Sequence, residues 1–191
     1  MNILYIFILL FFSFSANSSS VQQNLYNACD QTYQQKLINS INQKRAAHRS
    51  PPLEFQDNKS NLDLVKYSQE KANFYAGMRP YPPPSPKGQK SFGEIDSHYP
   101  FDNFTAEAQI DELYHTGDGY PFYGKEPPNS ALKKYGTFTQ MIWASSRKVI
   151  LSCADAWDGP QGNRYTTRHL VAIFTPPGNV KGEFSANVQQ P

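Results

Sequence analysis

The sequence predicts an α+β domain, a three-layer α-β-α sandwich with a small, mostly antiparallel sheet, and three observations carry that expectation. Residues 30–47, 61–76 and 103–115 space their apolar side chains at helical intervals. Residues 148–154 and 168–175 hold the runs Val149-Ile-Leu151 and Leu170-Val-Ala-Ile-Phe174, continuous in the way of strands covered on both faces. Asp158-Gly-Pro-Gln-Gly162 between them is turn chemistry, so the two strands form an antiparallel hairpin with a long loop. Helices on both faces of such a sheet give three layers. A length of 191 residues suits one domain with a single sizeable core.

In chain order, residues 2–12 are an apolar run followed by the small residues 13–20. The run is too short to span a bilayer, which takes about 20 apolar residues. It reads as a secretory signal over residues 1–20, leaving 21–191 as one mature domain, although no Lys or Arg precedes the run. An uncleaved anchor or a buried N-terminal helix is the alternative. In an oxidising compartment Cys29 and Cys153, the 2 cysteines of the chain, form one disulfide or stay as two buried thiols. Sequons at Asn58 and Asn103 permit glycosylation; one at Asn17 falls at or before the cleavage point.

Asp30 can cap the first helix, which turns Tyr33, Leu37, Ile38, Ile41 and Arg45 to one side before Pro51-Pro52 ends it. The second offers Leu62, Val65, Tyr67, Ala72, Phe74 and Tyr75 for burial and breaks at Gly77. Residues 79–86, Arg-Pro-Tyr-Pro-Pro-Pro-Ser-Pro, are neither helix nor central strand, because proline lacks the amide donor and fixes φ. They form a stiff spacer or, less simply, a proline-rich ligand. The third helix points Ile110, Leu113 and Tyr114 inward. Phe138, Met141 and Ile142 then mark a short helix, with Gly136 easing its entry and Thr137 at its cap. The tail packs Phe184 and Val188 back on the sheet.

Two stretches also carry a resemblance. Gly136-Thr-Phe-Thr-Gln-Met-Ile-Trp143 resembles the Gly-His-Phe-Thr-Gln signature of the CAP superfamily, which includes cysteine-rich secretory proteins, antigen 5 allergens, pathogenesis-related proteins and venom-allergen-like proteins. Phe174-Thr-Pro-Pro-Gly-Asn179 is similar to its second signature. Asn42 to Arg45 with Pro52-Leu53, then Gly93-Glu94, then Tyr120-Pro-Phe122 match in order, so the resemblance runs from about Cys29 to Pro191. It implies the α-β-α fold and a cleft in which two histidines and two glutamates can hold Zn²⁺. Carried over, that cleft retains only Glu94; Tyr81 or Pro83, Thr116 and Thr137 take the other places. One carboxylate with two hydroxyls is a poor tetrahedral site, so no metal or other cofactor is expected.

A formal net charge of +2 with dispersed basic residues argues against nucleic acid. A Ser91/Glu94/His98 triad can be drawn, but no Gly-x-Ser-x-Gly elbow or oxyanion hole accompanies it. The expected function is therefore a secreted, non-enzymatic binding protein. Tyr120, Phe122 and Pro127 resemble an aromatic loop with which some relatives bind sterol, so a sterol, a fatty acid or a protein partner is the candidate ligand. The same aromatics can equally pack the Gly/Pro loop onto the body. The competing function is a metal-dependent hydrolase with a rebuilt Glu94/His98/His115 site.

Overall fold

A computed structural model describes residues 27–56, 61–86, 92–100, 105–157 and 165–191. The expected leader, the sequons at Asn17, Asn58 and Asn103, Ser91 and the turn at 158–162 lie outside the described residues. The elements run α1 (Gln31–Ala47), β1 (Glu54–Phe55), α2 (Leu62–Tyr75), β2 (Gly93–Pro100), α3 (Ala106–His115), α4 (Asn129–Ile142), β3 (Lys148–Trp157), β4 (Tyr165–Thr175) and α5 (Phe184–Asn187). The sheet order is β1-β3-β4-β2, antiparallel except for β1, which pairs parallel to β3. The three-layer α+β sandwich expected from the sequence is the architecture found.

Alternation along the strands divides the sheet into two faces. Ile95, Leu151, Cys153, Leu170, Ala172 and Phe174 face α1 and α3, where Leu37, Ile41, Ile110 and Leu113 cover them. Ile150, Ala154, Val171 and Ile173 face α2 and its Leu64, Tyr67 and Ala72. A third cluster joins Phe138, Ile142 and Trp143 of α4 to Tyr120, Phe184 and Val188. α2 is therefore one outer layer, and α1, α3 and α4 form the other.

Local chemistry sets the ends. Asp30 Oδ1 accepts the Tyr33 amide at 2.7 Å and Thr105 Oγ1 the Ala108 amide at 3.1 Å, so each cap satisfies a donor the helix leaves free. Gly77 stops α2 at φ 75°, a backbone conformation that disfavours residues with a Cβ. Arg45 is wholly buried without a carboxylate partner. Its guanidinium instead donates to the carbonyls of Pro51, Met141, Trp143 and Ser146 at 2.9 Å each. Two of these carbonyls belong to the C-terminal end of α4, where unpaired acceptors and the helix dipole favour a cation. Burial, then the charge of Arg147, lowers the Arg45 pKa to about 10, which still leaves it charged at neutral pH. Cys29 and Cys153 form a disulfide with Cα atoms 5.2 Å apart, fastening the entry to α1 onto β3.

Three details differ from the sequence reading. α4 begins at Asn129 rather than near Thr137, so Gly136 and Thr137 lie inside it. The segment 131–134, Ala-Leu-Lys-Lys, has good helix formers that outweigh the interior glycine. Leu62 is 65% exposed and Leu64 buried, because α2 rotates Leu64, Tyr67 and Ser68 toward the sheet. Phe184 and Val188 pack on Trp143 and its neighbours in α4 rather than on the sheet.

Candidate functional site

Glu94 stands on β2 opposite Ile173, on the face covered by α2. Its neighbour Gly93 turns the other way, against α4, where an added Cβ would overlap the Gln140 carboxamide. The Glu94 carboxylate is already occupied. Lys71 of α2 ion-pairs with Oε1, and the Tyr67 hydroxyl donates to Oε2 at 3.0 Å. Lys71 also donates to the Tyr67 oxygen at 3.2 Å, closing a three-residue ring of hydrogen bonds. Burial works to lower the Lys71 pKa, but the bonds from Glu94 and Tyr67 outweigh it and hold the ammonium above the ordinary lysine value. Both side chains of the ion pair are 19% exposed.

The other sequence-derived positions do not join this carboxylate. Thr116 caps α3 and donates its hydroxyl to the Leu113 carbonyl at 2.7 Å. Thr137 lies in α4, so both threonines belong to the layer opposite α2. Tyr81 is 74% exposed in the proline-rich segment beyond α2. His98 is four residues along β2 from Glu94, roughly 13 Å at the rise of an extended strand. His115 is on the surface against Asp118, 3.1 Å away. Among the described residues no group of three or more His, Cys, Asp or Glu side chains is placed to hold a metal ion. The Glu94/His98/His115 set is thus not brought together.

A cavity of about 330 Å³ opens instead between the end of α3, the loop after it, Phe138 and Pro191. Tyr114, Tyr120, Tyr123 and Phe138 supply its aromatic lining, and Asp118 stands at the wall. Tyr120 and Pro127 are buried and Phe122 is half-buried. Tyr120 sits edge-on to Phe122, Tyr123 and Tyr135 with ring centres 4.9–5.6 Å apart. The Tyr120 hydroxyl is buried with no hydrogen-bond partner, and burial, with Tyr123 and Glu126 nearby, pushes its pKa up to about 12.

Behind the aromatic lining, His48 is fully buried at the end of α1. Its Nδ1 is 2.6 Å from the Gln189 carbonyl and its Nε2 2.7 Å from the Tyr114 hydroxyl. A neutral ring donating to Gln189 and accepting from Tyr114 satisfies both contacts. Phe138 and Tyr123 pack against the ring, and burial lowers its pKa. The sequence reading missed this residue. Its only signal is a histidine immediately after the amphipathic stretch that forms α1.

The two signature stretches are direct partners. Gln140 Oε1 accepts the Gly178 amide at 2.7 Å, and Ser146 Oγ donates to the Pro176 carbonyl at 2.9 Å. Thr139 donates to Asn179 Oδ1 at 2.5 Å, while Asn179 Nδ2 donates to the Gly136 carbonyl at 2.8 Å. Residues 38–174 match the model of the cysteine-rich secretory protein family, CAP. The chain belongs to the CAP family.

Among curated relatives, this CAP chain is 34% identical over 70 residues to a probable pathogenesis-related protein of Arthroderma benhamiae. That match covers 36% of the chain and only 22% of the fungal protein's length. It is 28% identical over 161 residues to the Golgi-associated plant pathogenesis-related protein 1 of Homo sapiens, covering 83% of this chain and 94% of the human protein. The fold is shared with NaASP2, solved with Zn²⁺, at TM-score 0.54 and 15% identity over 86% of this chain and 90% of that one. BmVAL-1 gives the same TM-score, 0.54, at 14% identity over 86% of each chain.

Zinc does not fit the side chains that the sequence resemblance assigns to the cleft. Glu94 spends its oxygens on an ammonium and a phenol, and the hydroxyl of Thr116 is turned to its own helix. Neutral imidazoles or further carboxylates would be needed to complete a tetrahedral shell.

Proposed function

We propose that this CAP-family chain is an exported, non-enzymatic binding protein, that residues 1–20 are its removed leader, and that its working site is the aromatic cavity beside Tyr120. The observation that carries the reading is the cavity itself: about 330 Å³ of space with four aromatic rings around it. That volume is at the small end of the ~300–1,000 Å³ typical of ligand pockets, so it suits an acyl chain or one end of a sterol. The unpartnered Tyr120 hydroxyl offers a bond to the polar end of such a ligand. The internal neutralisation of Glu94 supports a role without catalysis, since it leaves no free base beside a nucleophile. The disulfide supports an oxidising compartment.

Titration of the purified chain with a fluorescent fatty acid and a fluorescent sterol tests this. Saturable binding at micromolar protein is expected, weakened by Tyr123→Ala and by the paired change Tyr120→Ala with Phe122→Ala. Tyr120→Phe, which keeps the ring, should reduce affinity only for ligands with a hydrogen-bonding head. Absence of uptake for both probes by the folded wild type refutes the lipid reading. A protein partner is the second reading, favoured by Tyr81 and Met78, 74% and 51% exposed beside the prolines that follow α2. It requires a partner captured by the wild type and lost with Tyr81→Ser, with lipid uptake unchanged.

A further inference from the structure

We infer that His98 and His169 form a two-imidazole site for a late first-row transition-metal ion, held most tightly as Cu²⁺, on the α2 side of the sheet. The residues face each other across β2 and β4 as a direct register pair. Opposed positions of an antiparallel pair bring Cβ atoms to about 4.5–5.5 Å, close enough for two rings to reach one ion. Here the ring centroids are 5.7 Å apart with planes 30° from parallel. Two imidazoles sharing an ion at about 2.1 Å per nitrogen place their centres roughly 5–6 Å apart, so little rearrangement is required.

Three further observations support ligation. Among the described residues neither ring has a hydrogen-bond partner, so their nitrogen lone pairs are uncommitted. Tyr75 of α2 lies nearly parallel to His169, 17° between planes at 6.4 Å, which restrains the half-buried ring while His98 remains exposed to solvent. The half-burial of His169 shields its ring in part from solvent, so an ion bound there is partly screened from bulk water. Asp96 on β2 lies near His169 and brings negative charge that favours a bound cation, whereas Asp155 is already paired with Arg168.

No third His, Cys, Asp or Glu side chain joins the pair among the described residues. Water must therefore complete the coordination, which suits a tetragonal Cu²⁺ centre better than a closed structural zinc site. The site is separate from the Glu94 ion pair, and it is independent of what fills the aromatic cavity.

Calorimetric titration of the whole chain with Cu²⁺ in a glycine-buffered competition assay, with electron paramagnetic resonance at pH 7.4, tests the assignment. One Cu²⁺ per chain with two imidazole nitrogens is expected. His98→Ala and His169→Gln should each weaken binding at least tenfold, whereas His115→Ala should not. Because His98 is exposed, its alanine variant keeps the test valid even if His169→Gln folds poorly. Unchanged affinity in His98→Ala, a single-imidazole spectrum, or no saturable binding by the wild type overturns the assignment.

Discussion

Replacing Glu94 with Gln tests whether this carboxylate serves as an internal counter-ion to Lys71. The substitution keeps the shape and an acceptor for Tyr67, but leaves the Lys71 ammonium without its opposite charge. Both partners are 19% exposed, so solvent screening is reduced but present. Unit charges about 4 Å apart interact by roughly 4 kcal/mol at an effective dielectric of about 20, and desolvation offsets part of that. A loss near 3 kcal/mol is expected for Glu94→Gln, and a coupling energy near 2 kcal/mol in the cycle with Lys71→Met. For a domain of this size the single change lowers Tm by roughly 6–12 °C. Urea unfolding of the wild type, both single variants and the double variant measures the coupling. The pair Glu54–Lys148, with side chains 74% and 42% exposed, is the reference and should show no resolvable coupling. A Glu94–Lys71 coupling as weak as the reference would refute the argument.

Other outcomes follow from the same physical reasoning. Arg45→Met should cost about 3–5 kcal/mol in chemical denaturation, because the carbonyls of Met141, Trp143 and Ser146 lose their shared donor inside the protein; a loss below about 1 kcal/mol would contradict it. Cys29→Ala with Cys153→Ala removes a cross-link spanning 124 positions, for which chain entropy gives an upper figure of about 5 kcal/mol and experience 2–5 kcal/mol. Reduction of the wild type should lower stability similarly. Unfolded His48 titrates near 6.5, whereas burial holds its folded pKa lower. Below about pH 6.5 the unfolded chain takes up a proton that the folded chain refuses, so stability is full above that pH and falls on acidification toward the folded pKa. His169 shifts the same way and adds to the slope. Tm measured from pH 7.5 to 5 should fall less steeply in His48→Gln; an unchanged slope would remove His48 from the account.

The layers were legible because the evidence for them is local. Apolar runs at 149–151 and 170–174 and helical spacing over 30–47 report burial directly, and the hairpin follows from its turn residues. β2 was missed although Gly93 to Pro100 alternates as a half-buried strand does, because a glycine, a terminal proline and Ile95 as its one aliphatic branched residue leave the signal weak. The partners of Glu94 were equally hidden, since Tyr67 and Lys71 lie more than twenty positions earlier on α2 and meet it only through sheet packing. Helix spacing correctly marked Tyr67 for burial, but a single sequence does not say which carboxylate its hydroxyl will meet. The cavity depends on tertiary contact among α3, α4 and Pro191 and had only its aromatics as a hint.

The bonds between α4 and the loop after β4 have a consequence for what a sequence signature can report. The side chains of Gln140 and Asn179 are spent on the backbone of the opposite stretch, Thr139 is spent on Asn179, and Gly178 is required where the Gln140 amide presses close. These letters spell a mechanical buckle. Any chain that must close this fold has reason to keep them, whether its cleft carries metal, a lysine or nothing, so the motif certifies the clasp while remaining silent on the trade practised beside it.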